Sequence, residues 1–81
     1  KQRKIKMTFE EILPRLKNGE KIIRKGWGGA ELYVKCVPAT TLDGLTMNPY
    51  FAINVKGEGY TMFTPTVCDI LAEDWEIVTE L

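Results

Sequence analysis

Phe63 to Val78, FTPTVCDILAEDWEIV, compresses a strand end, a short capped helix and a second strand into one stretch, and the rest of the chain reads as its scaffold. Either Thr64 or Thr66 can accept from the first free N–H groups of a helix. Pro65 suits a first helical turn, and Asp69 adds an acceptor near that positive end. A short helix is therefore predicted here, with Ile70 and Leu71 facing the core and Glu73 and Asp74 ending the turn. Trp75, Ile77 and Val78 continue it as an extended segment. Two readings follow. The stretch is either a closing element that locks the last strand onto a sheet, or a Thr, Asp and Trp cluster that holds a polar ligand.

Ahead of it, Thr8 and Glu11 have the spacing of a capping box, so a helix is expected from Thr8 to Asn18. Phe9, Ile12, Leu13 and Leu16 form one apolar stripe on that helix, and Gly19 supplies a left-handed stop. Pro14 is dissonant inside it, which predicts a kink or two separate turns. Strands are expected at Lys21 to Lys25, Ala30 to Val37, Tyr50 to Lys56, Tyr60 to Phe63 and Trp75 to Val78. Strict alternation puts Arg24 on the face of Ile22, and Tyr33 and Lys35 on the wetter face of the second strand. Gly26, Gly28 and Gly29 surround Trp27 in a tight turn, so that Trp is either a lid over the core or a stacking platform. Pro38 to Pro49, PATTLDGLTMNP, reads as a long loop holding at most one small turn, and loops of that length usually serve a site or an interface. The fold class is α+β: an N-terminal helix packed on a small antiparallel sheet, with a short helix near the C-terminus.

Composition narrows the function. Lys plus Arg equals Asp plus Glu at 11 each, which argues against a duplex nucleic-acid binder that neutralises many phosphates. The first six residues, KQRKIK, are basic without an acid and read as a flexible tail, with a single domain over residues 7–81. The body is acidic. No apolar run approaches the ~20 residues of a membrane span and no secretory signal is visible, so a cytoplasmic protein is expected. Cys36 and Cys68 read as buried thiols rather than a disulfide, with no zinc spacing. There is no His, the commonest general base, and no paired constellation demands an enzyme. No metal and no cofactor are expected. A core this small favours a homo-oligomer.

In order, TFEEIL, LKNGEKIIRKGW and DILAEDWEIV, joined through a glycine-turned hairpin, make a chain that resembles the second Thoeris anti-defence family of phage proteins. The likeness runs from Met7 to about Val78. Its most specific parts are R-x-x-W, carried by Arg24 and Trp27, and D-x-L-A-x-D-W, carried by Asp69, Leu71, Ala72, Asp74 and Trp75. The resemblance implies a small, mostly β protein without catalytic activity, assembled as a tetramer of paired dimers. It further implies a protein that acts in the infected bacterial cell and sequesters a cyclic ADP-ribose-type signal, glycocyclic ADP-ribose, in pockets shared between protomers. Two places depart from the pattern. Phe63 stands where a Trp is usual and keeps a stacking face. Thr66 and Val67 stand where a Ser-Gln pair is usual, so the hydroxyl is kept and the amide is lost.

A nucleotide-like ligand needs aromatic faces, a cation or free N–H groups, and a carboxylate or hydroxyl for ribose. Arg24, Trp27, Phe63, Thr66 and Asp69 are the candidate ligand-binding residues on that ground. Trp27 or Phe63 would stack, Arg24 and the helix start at Thr66 would meet phosphate, and Asp69 would accept from ribose. The structural alternative is that Arg24 pairs with Asp69 or Asp74 and that Trp75 belongs to the core. Two other functions stand beside sequestration: a nucleotide-processing enzyme, and a structural or adaptor protein of a phage.

Overall fold

A reciprocal capping box opens the first helix, α1 (Phe9–Lys17): the Thr8 hydroxyl accepts from the Glu11 N–H, and the Glu11 carboxylate accepts from the Thr8 N–H at 3.0 Å. In this computed structural model, which describes residues 6–79, the expected basic tail lies outside the described residues except for Lys6, which is exposed. The helix runs through Pro14 as one element rather than as two turns. The cost is one backbone bond, because the proline nitrogen has no hydrogen to donate. Asn18 and Gly19, with φ 101°, stop it as the sequence suggests. Arg15 then grips Glu20 with two hydrogen bonds and ties the helix end to the first strand.

The strands are β1 (Lys21–Arg24), β2 (Glu31–Val37), β3 (Thr40–Leu42), β4 (Leu45–Met47), β5 (Tyr50–Val55), β6 (Gly59–Met62) and β7 (Trp75–Val78), with a second helix, α2 (Val67–Leu71), between the last two. Five of them form one antiparallel sheet in the order β6-β5-β2-β1-β7. The α+β fold read from the sequence is the one observed. Registers Ile22 to Ile77, Ile22 to Val34 and Val34 to Ile53 align one apolar row across the sheet. Ile12 and Leu16 of α1 close over that row, and with Trp75 they are fully buried. Met7 and Trp75 exchange two backbone bonds at 3.1 Å, so the segment before α1 extends the β7 edge.

Three local expectations are corrected. Pro38 to Pro49 is not a loop: Thr40 pairs with Met47 and Leu42 with Leu45, around a turn in which Asp43 and Gly44 both have positive φ. This is the turn a two-residue hairpin favours, because its backbone twist matches that of the flanking strands. The register continues unshifted from Val37 opposite Tyr50 to Thr40 opposite Met47, which sets Pro38 across from Pro49. Two prolines at one rung remove the donors of the ladder, so the ribbon is interrupted there and resumes beyond.

Leu32 and Tyr33 also exchange their expected environments. A register shift between Glu31 and Tyr33 makes a bulge that leaves Leu32 exposed. Tyr33 does lie on the face away from α1, but it is buried there. Its hydroxyl is 2.6 Å from that of Tyr60, and the Lys21 ammonium sits 4.9 Å over its ring.

The third correction is α2. Pro65 precedes the helix instead of entering it, Thr66 is the cap, and Ile70 and Leu71 are 49% and 72% exposed rather than core. Asp69 points inward in their place.

Candidate functional site

Strand β1 ends at Arg24, on the same sheet face as Ile22 and opposite Trp75 of β7. That register delivers a guanidinium to the end of the core where α2 and the β7 entry loop each present a carboxylate. Arg24 Nη1 donates to Asp69 Oδ1 at 3.0 Å and Nε donates to Asp74 Oδ1 at 2.9 Å. Both structural pairings considered for Arg24 are therefore made at once.

The Asp69 carboxylate is further tied to its own helix start. Its Oδ2 accepts from the Thr66 N–H at 2.9 Å and from the Thr66 hydroxyl at 3.1 Å, and the Asp69 N–H reaches the Thr66 hydroxyl at 3.2 Å. Asp74 Oδ2 accepts from the Gly26 N–H at 2.9 Å, fixing the turn that carries Trp27. The backbone adds a second tie, Lys25 N–H to Asp74 carbonyl at 2.9 Å.

Aromatic rings adjoin this network at Trp75. Phe63, Trp27, Trp75 and Phe9 form a continuous row, with centroid separations of 6.0, 5.5 and 5.6 Å and mostly edge-on contacts that suit their quadrupoles. The indole N–H of Trp75 donates to the Asp69 carbonyl at 2.9 Å. Trp27 is thus a partly buried lid on the core, and Trp75 is core.

Burial alone pushes the Asp69 carboxyl up, but the Thr66 N–H, the Arg24 guanidinium and the Thr66 hydroxyl outweigh it, and its pKa lies below the ordinary value. Asp74 follows the same logic: desolvation raises it, and Arg24 with the Gly26 N–H more than compensates. Hydrogen bonding to Asp74, and then to Asp69, raises Arg24 against the cost of its own burial. All three groups are held charged.

The five sequence candidates thus come together, but not as five free groups. Arg24, Thr66 and Asp69 are joined to one another, and Trp27 and Phe63 touch ring to ring. The Arg24 side chain keeps 22% exposure, so its outer edge remains accessible. Phe63 also lines an open groove of about 450 Å³ with Lys17, Cys36, Tyr50, Phe51 and Met62, and Lys17 is the charged residue among the lining. Sequence reasoning did not single out Lys17, Tyr50 or Phe51. They meet only because β5 and β6 pair so that the Phe63 N–H donates to the Phe51 carbonyl at 2.8 Å, next to the end of α1. Both cysteines are free, but neither is buried as expected: Cys36 is half-buried and Cys68, on the outward side of α2, is exposed. No group of metal-ligating side chains is assembled among the described residues.

A single helix laid over a five-stranded antiparallel sheet, with a doubly bridged arginine paired in register with one member of a row of aromatic rings, defines a small α+β domain built around one locked end. A profile of the Thoeris anti-defense 2-like domain matches residues 7–78. The Thoeris anti-defense 2 protein of Bacillus phage SP01 is similar to this chain at 35% identity over 88 residues, covering 94% of this chain and 99% of that protein. The chain belongs to the Thoeris anti-defense 2-like family, and its broad role is that of a phage anti-defence protein.

Proposed function

We propose that this protein acts inside the infected bacterial cell by binding a cyclic ADP-ribose-type signal, glycocyclic ADP-ribose, and holding it without cleaving it, as a homo-oligomer with tetramer the expected state. The observation that carries this reading is the junction at Phe63. One of its sides is fixed by Trp27 and the Arg24 network, and the other opens on the groove with Tyr50, Phe51 and Lys17. Aromatic faces for a base, on and beside β5 and β6, and a cation for a pyrophosphate, at the end of α1, line the same groove on regular elements, so little ordering entropy is lost when a ligand is held. The exposed part of Arg24 adds charge beside the middle of the same ring row, where Arg24 pairs with Trp75 and accepts from the Trp27 N–H through its carbonyl.

The electrostatics favour holding over turnover. A general acid or base works best with a pKa near the operating pH, and both carboxylates here are pushed the opposite way. No helix among the described residues is long and apolar enough to cross a membrane.

Native mass spectrometry of the protein with cyclic ADP-ribose isomers tests the reading. The expected result is a stoichiometric mass shift whose ligand is recovered unaltered after denaturation. Phe63→Ala should weaken binding by about 1–3 kcal/mol through lost base stacking, and Lys17→Ala by about 1.5–3 kcal/mol if its ammonium meets phosphate. Appearance of a cleaved product would replace the reading with that of a nucleotide-processing enzyme. Absence of binding, with a stable protein partner instead, would replace it with an adaptor role.

A further inference from the structure

We propose that Asp74 is a positioning residue for the ligand groove: it holds the turn that sets Trp27 against Phe63, and so fixes the ring on which a base stacks. This role rests on the sequestration reading above, and it adds a determinant of affinity that does not touch the ligand.

Between β1 and β2 the chain turns through residues 25–30, with glycine at 26, 28 and 29. A Cβ at Gly28 or at Gly29 would meet no other part of the chain within 4 Å, so packing does not hold the turn at those positions. Hydrogen bonds hold it instead. Trp27 N–H donates to the Arg24 carbonyl at 3.1 Å, Lys25 N–H to the Asp74 carbonyl at 2.9 Å, and Gly26 N–H to Asp74 Oδ2 at 2.9 Å. Two of these three bonds end on Asp74. Its other oxygen, Oδ1, accepts from Arg24 Nε at 2.9 Å, and strand register keeps Arg24 opposite Trp75. The carboxylate thus ties a fixed strand end to a turn whose glycines leave it many other conformations, and losing that tie frees the turn.

The turn delivers Trp27 edge-on to Phe63, with ring centroids 6.0 Å apart, and to Trp75 at 5.5 Å. Phe63 has its backbone fixed by the bond from its N–H to the Phe51 carbonyl, but its ring is set by the Trp27 wall on one side and opens on the groove at the other. A binding surface must be held to within about 0.5 Å to keep its contacts, so a released Trp27 costs the groove its stacking face.

Asp74 does not line the groove. The sign of its effect separates positioning from charge. A carboxylate near a pyrophosphate repels it, so by charge alone removing Asp74 strengthens binding, and it also releases Arg24 Nε. Positioning requires the reverse.

Isothermal titration calorimetry of the full chain with glycocyclic ADP-ribose, at a temperature where circular dichroism shows each variant folded, tests the assignment. Asp74→Ala should raise Kd about tenfold. Gly26→Ala keeps the carboxylate but brings a Cβ to 3.0 Å from Asp74 Oδ2, and it should raise Kd in the same direction. The Asp74→Ala effect should persist in full when Lys17→Ala is present and vanish when Phe63→Ala is present, because the ring being positioned is then gone. A lowered Tm with Kd unchanged or reduced would assign Asp74 to stability alone and overturn its positioning role, with sequestration left standing. An effect that survives undiminished beside Phe63→Ala overturns it equally. A parent that shows no binding overturns the sequestration reading and this role with it.

Discussion

Arg24 and Asp69 stand 45 residues apart in sequence, yet the guanidinium of one donates to the carboxylate of the other at 3.0 Å, with their side chains only 22% and 10% exposed. This pair joins the end of the first strand to a helix of five residues, which the Trp75 indole N–H also holds by donating to the Asp69 carbonyl. The order of the candidate site therefore depends on an ion pair that is largely shielded from water, where its geometry counts for more than at a surface.

Arg24→Met keeps the aliphatic stem and removes the cation, leaving Asp69 and Asp74 without their shared partner. With full burial such a loss is worth ~3–5 kcal/mol, and with partial exposure about 2 kcal/mol is expected, a fall in Tm of about 8–16 °C for a domain of this size. Thermal melts by circular dichroism check it. A change of under ~2 °C would show that the bridge adds nothing to the fold and that Arg24 is available for a ligand.

Both carboxylates have folded-state pKa values below their unfolded ones. Their contribution is complete above the unfolded value of about 3.9 and is lost as pH falls through the lower folded values. Stability should thus be level near neutrality and begin to drop below about pH 5. Asp69→Asn with Asp74→Asn should flatten that acid limb in a Tm series from neutral pH downwards. An unchanged limb would assign it to other carboxylates.

Gly26→Ala isolates the turn. A Cβ there would meet Asp74 Oδ2 at 3.0 Å, the oxygen that accepts from the Gly26 N–H. The carboxylate must shift and loosen its bonds to Arg24 or to the turn. A loss of about 1 kcal/mol is expected, comparable to one hydrogen bond, and it should shrink when Asp74→Ala is already present. Additive losses in that double-mutant cycle would exclude the contact as the cause.

Trp75→Phe tests the link between strand and helix. It deletes the donor to the Asp69 carbonyl and leaves space beside Phe9 and Trp27. An unsatisfied carbonyl and a cavity together should cost about 2–4 kcal/mol in chemical denaturation. A loss of less than ~1 kcal/mol would mean that the rings re-pack and the carbonyl finds water.

The helix from its capping box, the five strands of the main sheet and the α+β class were all legible because they rest on local chemistry. Thr8 and Glu11 need only three residues of separation to cap one another, and Ile22 and Arg24 share a face by the pleat alone. Arg24, Trp27, Phe63, Thr66 and Asp69 were singled out partly from the residues and partly through the family likeness. What could not be read was how those groups spend their hydrogen bonds. Arg24 takes both Asp69 and Asp74 because β1 lies between β2 and β7, which is a matter of strand order.

The hairpin at Pro38 to Pro49 and the inverted face of α2 show where local reading ends. Two prolines and an Asp-Gly pair look like loop chemistry along the chain, but a continuous register across the β2–β5 ribbon turns the same residues into an interrupted ladder. In α2, hydrophobicity alone would send Ile70 and Leu71 inward. An arginine arriving from another strand makes it more favourable to bury Asp69, because a helix this short can give the core only one side. Sequence by itself determined the first helix, the five strands of the main sheet and the shared face of Ile22 and Arg24, since those depend on neighbours within a few residues. Tertiary structure decided which charges are neutralised and which apolar groups face water, since both depend on partners brought from distant parts of the chain.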